Sequence, residues 1–325
     1  MKYIRNDSTD PYYNLAFEEY VLHNLKDDDY ILLWQNAPTV VIGKHQNAAE
    51  EVDLRRAAEL GVHVVRRNTG GGAVYHDIGN LNYSFITGWS PEKDISYDIF
   101  LQPVICALAE LGVCAEKRGR NDLIVGEKKI SGNAQCIHGG RFLHHGTLLI
   151  NSDLSVLPEV LKAADDKIKS KGIKSIRSRV ANISEFTKTP VDPVILKDAL
   201  AKSFFEGGSV EELILTTSQI AEIERLAADK YATWDWNIGS SPDYSYKNVR
   251  RFPGGGVEVR LDVRNGVIAS CRIFGDFLAL TSVEDLENAV AGCRQERAVL
   301  ANALGRFEIS RYFSFTLDEL LDCFE

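Results

Sequence analysis

Two arginines run directly into three consecutive glycines in the segment Arg66-Arg67-Asn68-Thr69-Gly70-Gly71-Gly72-Ala73-Val74-Tyr75-His76-Asp77. Bare backbone of this kind lets N–H groups approach a phosphate or carboxylate, and nearby guanidinium groups add charge-assisted bonds to phosphoryl oxygens. An anion site is one reading and a tightly turning connection is the other; a glycine run alone does not separate them. The spacing lacks the Gly-Lys-Ser/Thr of a P-loop and the Gly-x-Gly-x-x-Gly of a dinucleotide fold, which disfavours a conventional kinase or dehydrogenase.

A second polar cluster, Arg120-Asn121-Asp122, opens a stretch patterned as a hairpin that turns at Gly126-Glu127 and returns through Lys128-Lys129-Ile130-Ser131-Gly132-Asn133-Ala134. Side chains on a strand alternate, so Lys128 and Ile130 share one face and Lys129 takes the other. One of the two lysines must point inward or along the sheet; the alternative is a pair of solvated turn lysines. In His144-His145-Gly146-Thr147 the adjacent histidines face opposite sides of a strand and cannot chelate one metal as a helical i, i+4 pair does. One of them can pack beside a bound group or serve a structural hydrogen bond. Cys106, Cys114, Cys136, Cys271, Cys293 and Cys323 are scattered, without the close pairing of zinc sites or redox dithiols. No sequence neighbour marks Cys114 or Cys136 as an activated nucleophile.

The elements that must hold these clusters alternate between helix and strand. Asp10-Pro11 caps a helical stripe through Leu15, Leu22 and Leu25. Strands are expected at Tyr30 to Trp34 and Thr39 to Gly43, a helix from Ala48 to Leu60 ending on Gly61, and a strand at the following VHVV. Ile99 to Leu111, Asp153 to Ala164, Pro193 to Phe205 and Ser218 to Tyr231 carry helical patterns, and Arg141 to Ile150 reads as a strand. The small, turn-forming run Gly239-Ser240-Ser241-Pro242-Asp243 marks a boundary, with one domain over residues 1–240 and a second over 246–325. In the second, Val257, Val259, Leu261 and Val263 alternate with Glu258, Arg260, Asp262 and Arg264 before Asn265-Gly266, which predicts a hairpin with one wet face. Helices are expected there at Val283 to Ala291, Gln295 to Leu304 and Leu317 to Cys323.

With 325 residues, 45% hydrophobic and 26% charged, the chain has the composition of a soluble globular protein large enough for two domains. No segment is apolar for the length of a membrane span and the N-terminus lacks a signal-peptide core, so a cytoplasmic location without membrane attachment is expected. The net charge of −9 argues against broad contact with nucleic acid but allows a local pocket for one nucleotide.

Taken together, RRNTGGGAVYHD, GRNDLIVGEKKISGNA and HHGTLLIN resemble, in order and separation, the catalytic domain of the lipoate-protein ligase A family. The resemblance extends to TVVIGKHQN, KGIKSIRSRVANISEF and RFPGGGVEVRLDVRNGVI, and so covers nearly the whole chain. It implies an α+β protein: a mixed β-sheet catalytic domain of the lipoate and biotin ligase type with flanking helices, followed by a small α+β C-terminal accessory domain. It implies ATP-dependent activation of lipoic acid to lipoyl-AMP, then transfer to a lysine of a carrier, either the lipoyl domains of 2-oxoacid dehydrogenase E2 subunits or the glycine cleavage H protein.

By the same resemblance, Arg67, Gly72, Ala73, Val74, Tyr75, Asn121 and Lys129 contact ATP, and Lys129, Gly71, Val74 and His145 contact lipoate. Lys129 is the expected catalytic cation, neutralising the α-phosphate and polarising the carbonyl. Asp122 is the second catalytic residue, either orienting the incoming amine or holding magnesium. The basic stretch from Lys162 to Arg179, with Lys169, Lys171 and Lys174, resembles a segment that closes over the adenylate. Two other readings stay open: an octanoyl or lipoyl transferase that works through a cysteine without ATP, and a non-catalytic acyl or nucleotide sensor. Neither Cys114 nor Cys136 falls in a recognisable transferase nucleophile motif.

Overall fold

Strands that are apolar on both faces need cover on both sides, and the run Tyr30 to Trp34 is buried at every position. In a computed structural model that describes residues 1–46, 48–93, 95–161, 179–238, 246–264, 267–294 and 297–324, this run is an inner strand of a seven-stranded sheet. In spatial order the strands are β1 (Lys2–Arg5), β2 (Tyr30–Trp34), β6 (Asn80–Gly88), β10 (Arg141–Leu149), β9 (Lys128–His138), β8 (Asp122–Val125) and β7 (Glu116–Arg118). The β1–β2 pair is parallel and the rest are antiparallel, which makes the sheet mixed. Ile31 and Leu33 pack on one face with α4 (Tyr97–Glu110) and α6 (Pro193–Phe204); Leu32 and Trp34 pack on the other with α1 (Pro11–Asn24) and α7 (Thr217–Leu226).

Helix α1 starts where expected, with Asp10 accepting from Tyr12 N at 2.8 Å and Pro11 at the first position. It is not an amphipathic surface helix, because it is enclosed between the sheet and α7 and is buried continuously from Asn14 to Leu22. Its two carboxylates therefore need internal partners. Glu18 accepts from Ser84 and His145, and Glu19 from Lys230 at 2.6 Å and from Tyr231.

A smaller sheet carries the glycine segment. β3 (Thr39–Ile42) lies between β4 (His63–Arg66), which is parallel to it, and β5 (Val74–His76), which is antiparallel. Residues 67–73 thus cross over the end of β3 to join its two neighbours. The helix expected from Ala48 to Leu60 is instead two short ones, α2 (Ala48–Glu51) and α3 (Leu54–Glu59), because Asp53 caps the second by accepting from Arg56 N at 2.9 Å. Of the helix expected from Asp153, the described residues contain one turn, α5 (Leu157–Val160). After α7 comes a π-turn over Ala227–Tyr231, then α8 (Trp234–Asn237). The basic stretch at 162–178 and the boundary run at 239–243 lie outside the described residues.

From Tyr246 onward the chain has its own apolar core. β11 (Tyr246–Phe252), β12 (Gly255–Arg264) and β13 (Val267–Gly275) form an antiparallel sheet, and Val257, Val259 and Leu261 pack with α9 (Glu284–Val290), α10 (Arg297–Leu304) and α11 (Leu317–Leu321). The opposite face is less wet than its sequence suggests, since Glu258 is buried beside Lys247 and Arg260. Asn265-Gly266 lies outside the described residues. No helix among those described is long and apolar enough to cross a membrane.

Candidate active site

The glycine bend is held from inside by Arg67. Its Nε donates to Thr69 Oγ1 at 3.0 Å, Nη1 to Val41 O at 3.1 Å, and Nη2 to Gly70 O at 2.7 Å and Gly72 O at 2.9 Å. Burial lowers its pKa to about 10, so it stays charged at neutral pH. Both guanidinium groups, expected at phosphoryl oxygens, are engaged by the protein, and Arg67 also lines the cavity described below. Arg66 donates to the carbonyls of Gly43, Lys44, Gln46, Trp236 and Asn237. A loop of bare carbonyls needs internal donors, and these two side chains supply them.

Gly71 takes the left-handed conformation at φ 95°, and its N–H donates to Phe277 O at 2.8 Å. The C-terminal unit thus grips the bend directly. Gly275 N also donates to His45 O, Ile137 N to Leu280 O, and Arg120 reaches Gly254 O at 3.2 Å.

Below the bend, Thr69 Oγ1 lies 2.7 Å from His145 Nε2, and His145 Nδ1 lies 2.9 Å from Glu18 Oε1. His144 faces the opposite way, as strand alternation requires, with its ring against Phe100 and Nδ1 beside Gln135.

Across from the bend stands Lys129, near the start of β9. Its main chain is fixed on one side by β8 and on the other by the segment at Arg179 and Ala181, with Lys129 N donating to Arg179 O at 2.7 Å and Ala181 N to Lys129 O at 3.0 Å. The side chain lies over Gly132, where a Cβ would meet Nζ at 2.9 Å, and ends 2.7 Å from Asp122 Oδ1. Glycine at 132 is what lets the ammonium lie flat on the sheet.

The two sides enclose a cavity of about 640 Å³, counting its open mouth. Gly71, Gly72, Ala73 and Val74 line it with Arg67, facing Lys129, Asn121 and Gly132. Leu15, Trp34, Val41 and Ala134 give it an apolar wall, and His145 also belongs to the lining. Tyr75, expected at the nucleotide, turns its ring away into the cluster of Val40, Ile42 and Val52. Asp122 is not in the wall; it reaches the cavity through Lys129. Its Oδ1 lies against the Lys129 ammonium, and no group of three His, Cys, Asp or Glu that could hold an ion occurs among the described residues.

Sequence reasoning missed His76, Asn82, Thr147 and the supporting pair Glu18 and Thr69. His76 lines the cavity, and burial lowers its pKa to about 3. No cysteine of the described residues lines it. Cys114 is exposed elsewhere, and Cys136 is buried, its thiol pushed up to about 12, which leaves it protonated and inert.

Comparison with known proteins shows the family. Residues 10–205 match the model of the lipoyl protein ligase A/B catalytic domain, and residues 241–324 that of the bacterial lipoate protein ligase C-terminus. The chain is 45% identical over 315 residues to lipoate–protein ligase 1 of Staphylococcus aureus, covering 96% of each. Among solved structures it resembles P. falciparum LipL1 in complex with lipoate, with a TM-score of 0.85, 26% identity and coverage of 99% of this chain and 98% of that one. It also resembles lipoate-protein ligase A bound with ATP, with a TM-score of 0.64, 30% identity, and 73% and 98% coverage. A catalytic-domain match over more than half the chain, together with near full-length identity to a named ligase, means that the protein belongs to the lipoate-protein ligase family.

Proposed function

We propose that this enzyme activates lipoate with ATP and transfers the lipoyl group to the lysine of a carrier lipoyl domain, with the glycine cleavage H protein as a second carrier. The observation behind this reading is that one cavity is lined by the Gly71–Val74 segment, by Lys129 and by the apolar Leu15, Trp34, Val41 and Ala134. A nucleotide phosphate needs the first two, and an eight-carbon acyl tail needs the third.

In the first half-reaction a lipoate carboxylate oxygen bonds to the α-phosphorus of ATP, the bond to the β-phosphate oxygen breaks, and pyrophosphate leaves. Lys129 neutralises the charge that gathers on the α-phosphate, and Asp122 holds it there. Arg67 contributes by shaping the bend, with Gly72, Ala73, Val74 and Asn121 beside the nucleotide and the Tyr75 backbone continuing that edge. Gly71, Val74 and His145 flank the acyl chain. Magnesium would come with the ATP phosphates rather than from a protein cage, and no step is assigned to it. In the second half-reaction the carrier amine bonds to the acyl carbon, the bond to the phosphate oxygen breaks, and AMP leaves as the amine loses its proton.

Lipoate-dependent exchange of labelled pyrophosphate into ATP tests the first step. Exchange is expected with lipoate and absent without it. Acyl transfer that persists without exchange and depends on a cysteine would replace this reading by the transferase one.

A further inference from the structure

Glu18 does not line the cavity, yet it lies at the end of a buried chain of hydrogen bonds that begins at the glycine bend. The direction of that chain follows from donor and acceptor capacity. Glu18 carboxylate oxygens accept only, and they already receive Ser84 Oγ, which in turn receives Trp34 Nε1 at 3.0 Å. His145 Nδ1 must therefore carry the proton and donate. In the neutral imidazole that leaves Nε2 bare, so the Thr69 hydroxyl donates to it, and the Thr69 oxygen is left to accept from Arg67 Nε.

The consequence reaches the bend itself. Arg67 Nη2 draws the carbonyls of Gly70 and Gly72 inward. In a trans peptide the N–H points opposite to the C=O, so Gly71 N–H and Ala73 N–H face away from Arg67. Gly71 N–H is taken by Phe277, and Ala73 stands in the cavity wall.

We propose that Glu18 is a positioning residue for the nucleotide-binding bend: it sets the His145 tautomer, through Thr69 the orientation of Arg67, and so the direction of the bend's amides. This deepens the proposed function and rests on the reading that the bend binds ATP.

The test is steady-state pyrophosphate exchange with Glu18→Leu, Thr69→Val, Thr69→Ser and the double variant Glu18→Leu/Thr69→Val. Glu18→Leu, which removes the acceptor, and Thr69→Val should each raise KM for ATP by roughly ten- to a hundredfold, the effect of losing a hydrogen bond to a charged group, with kcat at saturating ATP little changed. Thr69→Ser, which keeps the hydroxyl, should stay near the unsubstituted enzyme. Because both lesions cut one chain, the double variant should be no worse than the poorer single one. An unchanged KM, or a double effect equal to the product of the singles, overturns the proposal. If Glu18→Leu fails to fold, the Thr69→Val and Thr69→Ser pair decides it. No exchange by the unsubstituted enzyme would sink the ATP reading and this one together; normal exchange with indifferent variants sinks this one alone.

Discussion

Lys129 and Asp122 meet at 2.7 Å across the face of Gly132, each about one-third exposed. The pair is too wet to add much to stability, where exposed ion pairs contribute about 0–1 kcal/mol. Its effect is geometric, because it holds an ammonium against the sheet at the cavity wall.

Gly132→Ala is expected to push that ammonium aside, since a Cβ would sit 2.9 Å from Nζ and 3.0 Å from Cε. The displaced atoms are the free end of a flexible side chain, so the fold should be spared. Exchange activity should fall about tenfold or more from misplacement alone, with the melting temperature little altered. Activity retained, or lost only in parallel with unfolding, contradicts this.

Cys136→Ala should leave activity intact. The thiol is buried, protonated and absent from the cavity wall. The change removes a small buried group, for which a stability loss of about 1 kcal/mol is typical. Loss of acyl transfer in a folded Cys136→Ala protein would point to thioester chemistry.

Arg66→Lys should destabilise the protein. The guanidinium serves five carbonyls from β3's exit and the α8 region, a fan that a single ammonium cannot reproduce. Stranding even one or two of these carbonyls predicts a loss of about 2–4 kcal/mol, read from denaturant unfolding midpoints. A change under about 0.5 kcal/mol, the usual size for a surface site, would rule out a bracing role.

Acid should weaken the fold well above the carboxylate range. Burial lowers the pKa of His45 and His76 to about 3 and that of His144 far below its ordinary value. These groups stay neutral in the folded chain while the unfolded chain takes up protons below about pH 6.5, so stability drops as pH falls from there toward 3. At pH 5 the loss for each of His45 and His76 is about 2 kcal/mol. Calorimetry at pH 7.5 and 5 should show a clear fall in melting temperature; an equal or higher value at pH 5 contradicts the assignment.

Much of the site was legible because its signals are local. Three glycines announce a backbone bend, and strand alternation separates His144 from His145. The supporting residues were not legible, because they depend on what packs against what. Glu18 lies 127 positions from His145, and only the docking of α1 against β10 brings them together. The same enclosure makes α1 a buried helix rather than a surface one. The arginines invite a reading as phosphate ligands because their charge is visible in sequence, while the carbonyls they serve come from β3, its exit, α8 and the bend itself. Likewise, the reason for glycine at 132 becomes visible only when Lys129 lies over it.

The most direct test is calorimetric titration with a non-hydrolysable lipoyl-adenylate mimic in which a sulfamate replaces the phosphate. One molecule should bind tightly to the unsubstituted enzyme, and Lys129→Ala should weaken binding by about two orders of magnitude, as expected for removing a preorganised charge from an enclosed site. Equal affinity in both proteins would mean that Lys129 and the glycine bend do not hold the acyl-adenylate together.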